Sequence, residues 1–178
     1  RTSYAKHKKC NSFEIVKKLK EQGKVKHIAM SFHDTADVLD MILSEQPYIE
    51  AVQLQINYLD YDDPGVQSQA CYDVAVKHGK KVIVMEPVKG GTLATLPAEA
   101  EKKLRSIHPE WAPADWALRF VQSLPEVEIC LSGMRTVEQV EANIKPFEPL
   151  TEEEMSLLME MRNLVENKIA IACTGCQY

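Results

Sequence analysis

Apolar positions along the chain switch between two periods, and the switches mark out elements. Over residues 11–22 they recur at helical spacing (Phe13, Val16, Leu19), with Asn11 and Glu14 suited to an N-terminal cap and Gly23 to the stop. Residues 25–31 read as a strand and 34–44 as a helix, capped by Asp34 or Thr35 and carrying Val38, Leu39 and Ile42 on one face. A second strand covers 51–57, and an Asp-Asp-Pro-Gly turn at 62–65 leads into a helix that runs to His78 and stops at Gly79. The third strand, 81–86, is apolar on both faces in its middle, as expected of a parallel strand covered on both sides. A longer connection holds Gly90-Gly91 and a helical stretch over 98–106, and a helix over 113–123 follows with Pro113 in its first turn. Residues 127–132 form a fourth strand and 136–144 its helix, where Thr136 and Gln139 fit a capping box; a last helix, 151–166, is capped by Thr151 and Glu154.

Strands that alternate with helices imply a parallel α/β sheet, because parallel neighbours need crossover connections. The second strand chooses between an open doubly wound sheet and a stretch of a (β/α)8 TIM barrel. Gln53, Gln55 and Asn57 share one face, and Val52, Leu54 and Ile56 share the other. Buried under helices, each unpaired amide would cost about 1–3 kcal/mol. Turned into a barrel lumen, the same amides face a polar site. No G-x-G-x-x-G follows any strand, which also disfavours an open dinucleotide-binding sheet. A complete barrel needs about 250 residues and eight strands. The expectation is therefore the second half of a barrel: four βα units plus a C-terminal helix, with 1–150 forming the half barrel and 151–178 the helix and a cysteine-bearing tail.

Composition narrows the function. With 45% hydrophobic and 26% charged residues the chain can build a core, and a net charge of −5 offers no attractive field to a nucleic-acid backbone. Apolar runs such as residues 82–85 are far too short to span a bilayer. No basic-then-apolar leader opens the sequence, and its 5 cysteines are odd in number and irregularly spaced, so a cytoplasmic protein with reduced thiols is expected. Cys10, Cys71 and Cys130 read as structural, residues 6–9 as a solvated charged start, and His27, His78 and His108 as ordinary.

The most specific stretch is 131–143. A strand closes on Ser132, Gly133 lets an anion approach the backbone, Arg135 adds a forked cationic donor, and a helix start supplies free N–H groups. Gln139 and Asn143 lie one turn apart, where both amides could read one nucleobase. A helix cap beside a solvated arginine would account for the same residues.

Gly133-x-Arg135-x-x-x-Gln139-x-x-x-Asn143 resembles the adenosine-phosphate segment of the aldo/keto reductases. Residues 24–33, 52–58 and 84–91 are similar, in order, to that family's fifth, sixth and seventh barrel strands. The resemblance implies that Ser31 and Gln53 hold a nicotinamide carboxamide. It puts Met85 where most relatives place an aromatic ring on the nicotinamide face, and lines the pyrophosphate path with Pro87, Val88 and Gly90. Arg135 would face a 2′-phosphate, favouring NADP(H) over NAD(H). His33 stands near the place of a carboxamide-binding asparagine in many relatives and receives no role. The family's catalytic Asp, Tyr, Lys and His come from the first half of the barrel. No matching motif occurs here, and Tyr58, Tyr61 and Tyr72 lack the context, so no catalytic residue is assigned.

Cys173-x-x-Cys176 resembles the start of the C-x-x-C-x-x-C iron–sulfur run that some members carry after the last helix, implying a [4Fe-4S] cluster completed by further cysteines. The sequence opens on Arg1 and stops inside this motif, so a longer polypeptide is expected, with the missing N-terminal half barrel or another copy closing the sheet. The reading is an NADP(H)-dependent oxidoreductase for a small carbonyl/alcohol pair, with no nucleic-acid or membrane partner. A different barrel enzyme, an isomerase or lyase with a phosphate site at Gly133–Arg135, and a non-catalytic cofactor-binding or electron-transfer module remain the alternatives.

Overall fold

The computed structural model describes residues 2–146 and 148–166. Eight α-helices and four strands are present among them: α1 Thr2–Lys9, α2 Ser12–Glu21, β1 Ala29–Ser31, α3 Ala36–Glu45, β2 Ala51–Gln55, α4 Ser68–Lys77, β3 Lys81–Met85, α5 Ala98–Arg105, α6 Pro113–Gln122, β4 Val127–Cys130, α7 Val137–Asn143 and α8 Glu152–Glu166. The strands form one parallel sheet in the order β1-β2-β3-β4. Strand order never reverses, so there is no switch point of the doubly wound kind; consecutive βα units curl in the manner of a partial barrel.

The alternation expected of β2 is realised over Ala51–Gln55, but the strand ends there and not at Asn57, which lies beyond it and is fully buried. Val52 and Leu54, with Val82 and Val84 beside them in β3, are sealed under the helices, each worth about 1.5–3 kcal/mol of burial. The helices answer with Val38, Leu39, Ile42 and Leu43 from α3, Ala75 from α4, and Trp116, Ala117, Phe120 and Val121 from α6. Leu158, Met161 and Val165 of α8 join the same core. On the opposite, concave face the register aligns Ser31, Gln53 and Ile83, with Ile129 next in line. Gln53 and Gln55 are half-buried there. No helix among the described residues is long and apolar enough to cross a membrane.

The ends of elements follow their residues in most places. Gly23 and Gly79 take positive φ of 70° and 64° just past α2 and α4. Thr136 and Gln139 close a reciprocal capping box on α7, and Thr151 and Glu154 do the same for α8. Other expectations give way, and β4 ends at Cys130, two residues before Ser132. Asn11 is not a side-chain cap: it sits at φ 57°, a left-handed joint between α2 and an unforeseen α1, a conformation asparagine tolerates. The charged start is thus helical, and Tyr4 anchors it by donating its hydroxyl to Glu45 and packing edge-on against Phe13. The first strand begins only at Ala29, because that residue already pairs with the first residue of β2; before it, the Ile28 N–H goes to the Glu50 carboxylate. Thr35 precedes α3 without a side-chain cap and turns its hydroxyl to Asp37.

Candidate functional site

Parallel strands deliver all their following loops to one rim, and most of the residues singled out above gather there. Ser31, ending β1, pairs with Gln53. Gln55 pairs with Met85, which ends β3, and the Gln53 side-chain amide donates to the Met85 sulfur at 3.3 Å. A hydroxyl, an amide and a thioether therefore line one stretch of the concave face. Ser31 Oγ also lies 3.1 Å from His33 Nε2, two residues on and exposed.

The chain leaves β3 through an unusual backbone. Glu86 and Lys89 have φ of 55° and 48°, and Gly90 and Gly91 follow at 60° and 96°. Left-handed non-glycine residues are costly and persist only where their surroundings hold them. Pro87 is buried and Val88 half-buried, whereas a Cβ built on Gly90 or Gly91 would meet nothing within 4 Å. That backbone is open to an approaching group.

What holds this loop was not visible in the sequence. Asn57 is fully buried; its Oδ1 accepts the N–H groups of Leu59 and Asp60 at 3.1 and 3.0 Å, fixing the turn after β2. Its Nδ2 reaches both Asp60 Oδ2 at 3.1 Å and the Glu86 carbonyl at 3.5 Å. Lys89 Nζ donates to both Asp60 oxygens at 2.6 and 2.5 Å, and Gln55 adds a longer contact of 3.4 Å. Both side chains of the ion pair are largely buried, Lys89 at 16% exposure and Asp60 at 11%. The only signal in the sequence was the third amide of the strand; its partners lie on two separate loops.

The fourth part of the rim is looser. Ser132, Gly133 and Arg135 follow β4, which the Leu131 N–H extends by donating to the Val84 carbonyl at 2.9 Å. Asn143 Nδ2 donates to Ser132 Oγ at 2.9 Å, folding α7 back onto the strand end. Gln139 Oε1 accepts the N–H of Arg135 at 2.7 Å and of Thr136 at 3.3 Å, so its carbonyl serves the cap. Glu138 turns its carboxylate onto its own N–H and the Thr136 hydroxyl, which together hold it below the usual range. Arg135 is exposed, and a Cβ on Gly133 would touch nothing within 4 Å.

Residues 4–163 match the sequence model of the aldo/keto reductase family. The chain belongs to that family. Among solved structures it resembles the aldo-keto reductase AKR11C1 from Bacillus halodurans in its holo form, with a TM-score of 0.67 and 23% identity over 84% of this chain and 54% of that one. A mutant of Gox0644 in complex with NADPH gives 0.65 and 19% over 84% and 51%. The aldose reductase from Schistosoma japonicum gives 0.59 and 22% over 83% and 45%. These likenesses establish the fold as part of a (β/α)8 barrel, and the chain spans about half the length of the structures it matches. No curated protein sequence matches it.

An aldo/keto reductase is expected to use a tyrosine proton donor with a lowered pKa, and the tyrosines after β2 go the other way. Tyr58 is fully buried edge-on to Phe120, which pushes its phenol well above the ordinary range, and burial together with Asp73 and Tyr72 pushes Tyr61 up to about 12. Burial likewise raises the Cys71 and Cys130 thiols to about 11, the direction opposite to that of an activated thiolate; Cys10 is exposed. Cys173 and Cys176 lie outside the described residues, among which no cluster of three or more His, Cys, Asp and Glu side chains could hold a metal.

Proposed function

We propose that the protein is an NADP(H)-dependent oxidoreductase acting on a carbonyl/alcohol pair, and that this chain supplies its cofactor-binding half. The observation that carries the reading is that Ser31 pairs with Gln53 at one rim and the Gln53 amide meets the Met85 sulfur of the next strand. The Ser31 hydroxyl and Gln53 amide present both hydrogen-bonding polarities to a carboxamide, and Met85 beside them offers a polarizable apolar surface for a ring. Pro87, Val88 and Gly90 then border the pyrophosphate, where the open backbone leaves room. Gly133 and Arg135 receive the adenosine phosphates, with Gln139 Nε2 and the Asn143 side-chain carbonyl toward the base. Held there, the dinucleotide would supply hydride chemistry for a carbonyl/alcohol pair, and the residues of this chain would bind, orient and shield it. Glu138 opposes an anion at this corner, so phosphate binding would turn its carboxylate outward.

Ile129, Leu131, Met134, Val137, Val140 and Ile144 are all exposed along β4 and α7, at 40% or more. Such a patch supports closure of the sheet by a first half barrel or another copy, which would bring the proton donor. The Cys173-x-x-Cys176 spacing supports a [4Fe-4S] cluster completed by further cysteines, and the reduced-thiol composition supports a cytoplasmic setting.

Titration of the purified protein with NADPH and NADH, followed by cofactor fluorescence, tests the reading. Saturable NADPH binding is expected, with Arg135→Ala weakening NADPH about 10–100-fold while leaving NADH nearly unchanged. Absence of binding to either dinucleotide would overturn it.

A further inference from the structure

The bridge from Asn57 through Asp60 to Lys89 lies beside the proposed cofactor contacts without being among them. Three features make it more than a surface ion pair. It is nearly buried, with both oxygens of one carboxylate engaged by a single ammonium. Its lysine belongs to the left-handed run Lys89-Gly90-Gly91, where an L side chain is rarely placed. And Asn57 ties the same β2 turn to the Glu86 carbonyl, so the β3 loop is gripped at both ends. Within that grip the Gly91 and Leu93 N–H groups donate to the Val88 carbonyl at 3.0 and 3.2 Å.

The Lys89 side chain ends on Asp60, and the backbone of Gly90 and Gly91 next to it stays open. Buried ion pairs are poor sources of net stability; their best-attested use is to select one arrangement among several. We infer that Asp60 and Lys89 are positioning residues that hold the β3 loop, residues 86–91, in its cofactor-accepting shape before the dinucleotide arrives. The inference rests on the cofactor reading given above. Lys89 acts through the loop: its charge is spent on Asp60, and the glycine backbone is what meets the pyrophosphate.

If release of the pair leaves the loop competent one time in ten, the apparent Kd for NADPH rises about tenfold. Asp60→Asn and Lys89→Met are compared with the wild-type protein by NADPH fluorescence titration and by hydrogen exchange at the Gly91 and Leu93 amides. Lys89→Met strands a buried carboxylate and can unfold the protein, so the doubly neutral Asp60→Asn with Lys89→Met is measured beside it. The expected result is faster exchange at those two amides together with weaker NADPH binding in each folded variant, and recovery of both in Lys89→Arg. Unchanged exchange overturns the inference, as does faster exchange with unchanged affinity. A wild-type protein that binds no NADPH overturns the cofactor reading itself, and the exchange rates then decide by themselves whether the pair restrains the loop.

Discussion

The loops after β2 and β3 and the loop after β4 sit on the same rim yet are built differently. The first two are cross-tied by Asn57, Asp60 and Lys89 above a sealed layer of Tyr58 and Phe120. The third carries a short helix whose apolar residues Val137 and Ile144 are 68% and 72% exposed. Their contacts explain the contrast. Each central strand has neighbours on both sides and helices behind it, so its loops find partners within the chain. β4 is a sheet edge with one neighbour, and α7 packs its own end onto Ser132. One part of the proposed cofactor site is therefore tied down within this chain, while the adenosine-phosphate corner sits beside a strand with a single neighbour among the described residues.

Substitution in the two layers should expose that difference most strongly. Phe120→Ala removes a ring that is 1% exposed and touches both Tyr58 and Tyr61, and should cost about 3–5 kcal/mol. Val137→Ala, at 68% exposure, should stay within about 0.5 kcal/mol. Urea denaturation of the two variants measures both. A large loss in Val137→Ala would mean that the α7 face is covered in solution, as closure by another copy would require.

The glycines give a sharper version at lower cost. Gly90 has φ 60°, so Gly90→Ala should destabilise the fold by about 1–2 kcal/mol although the new methyl touches nothing. Gly133 does not need the left-handed region and is equally open, so Gly133→Ala should leave the urea midpoint unchanged. Its methyl would instead stand between the backbone and an anion, and the NADPH titration should weaken. Unchanged affinity in Gly133→Ala would move the phosphate away from that corner.

How far the sequence could be read follows the same division. The polar and apolar sides of β2, the boxes at Thr136/Gln139 and Thr151/Glu154 and the stops at Gly23 and Gly79 depend on neighbours in sequence, and all were legible. Ser31, Gln53 and Met85 could be ranked together through the family resemblance; the register pairs Ser31 with Gln53, and the Gln53 amide reaches the Met85 sulfur. Asp60 and Lys89 were not legible, because 29 positions separate them and nothing in either local pattern announces the other. The left-handed φ of Glu86 was hidden for a like reason: the Asn57 amide that reaches its carbonyl lies 29 positions earlier.

The smallest effect concerns the other edge of the sheet, where β1 also has a single neighbour but is tied at its foot. Glu50 accepts from Lys20 Nζ at 2.5 Å and the Ile28 N–H at 3.0 Å, with His27 Nδ1 2.8 Å away. These donors, Lys20 foremost and then His27 and Ile28, lower its pKa from 4.5 to about 2. A depressed carboxylate contributes stability above its unfolded pKa and loses it as pH falls through the folded one. The tie is therefore complete above about pH 5 and released between 4.5 and about 2. Because Glu50 is solvent-accessible, screening keeps the contribution small and salt-sensitive. The Ile28 amide should exchange faster at pH 3 than the intrinsic acid dependence predicts, and Glu50→Gln should abolish that excess. If instead the amides of β4 respond to the same acid step and Ile28 does not, the two edges are equally loose, and the asymmetry of the rim begins above the sheet in the Asn57–Asp60–Lys89 bridge.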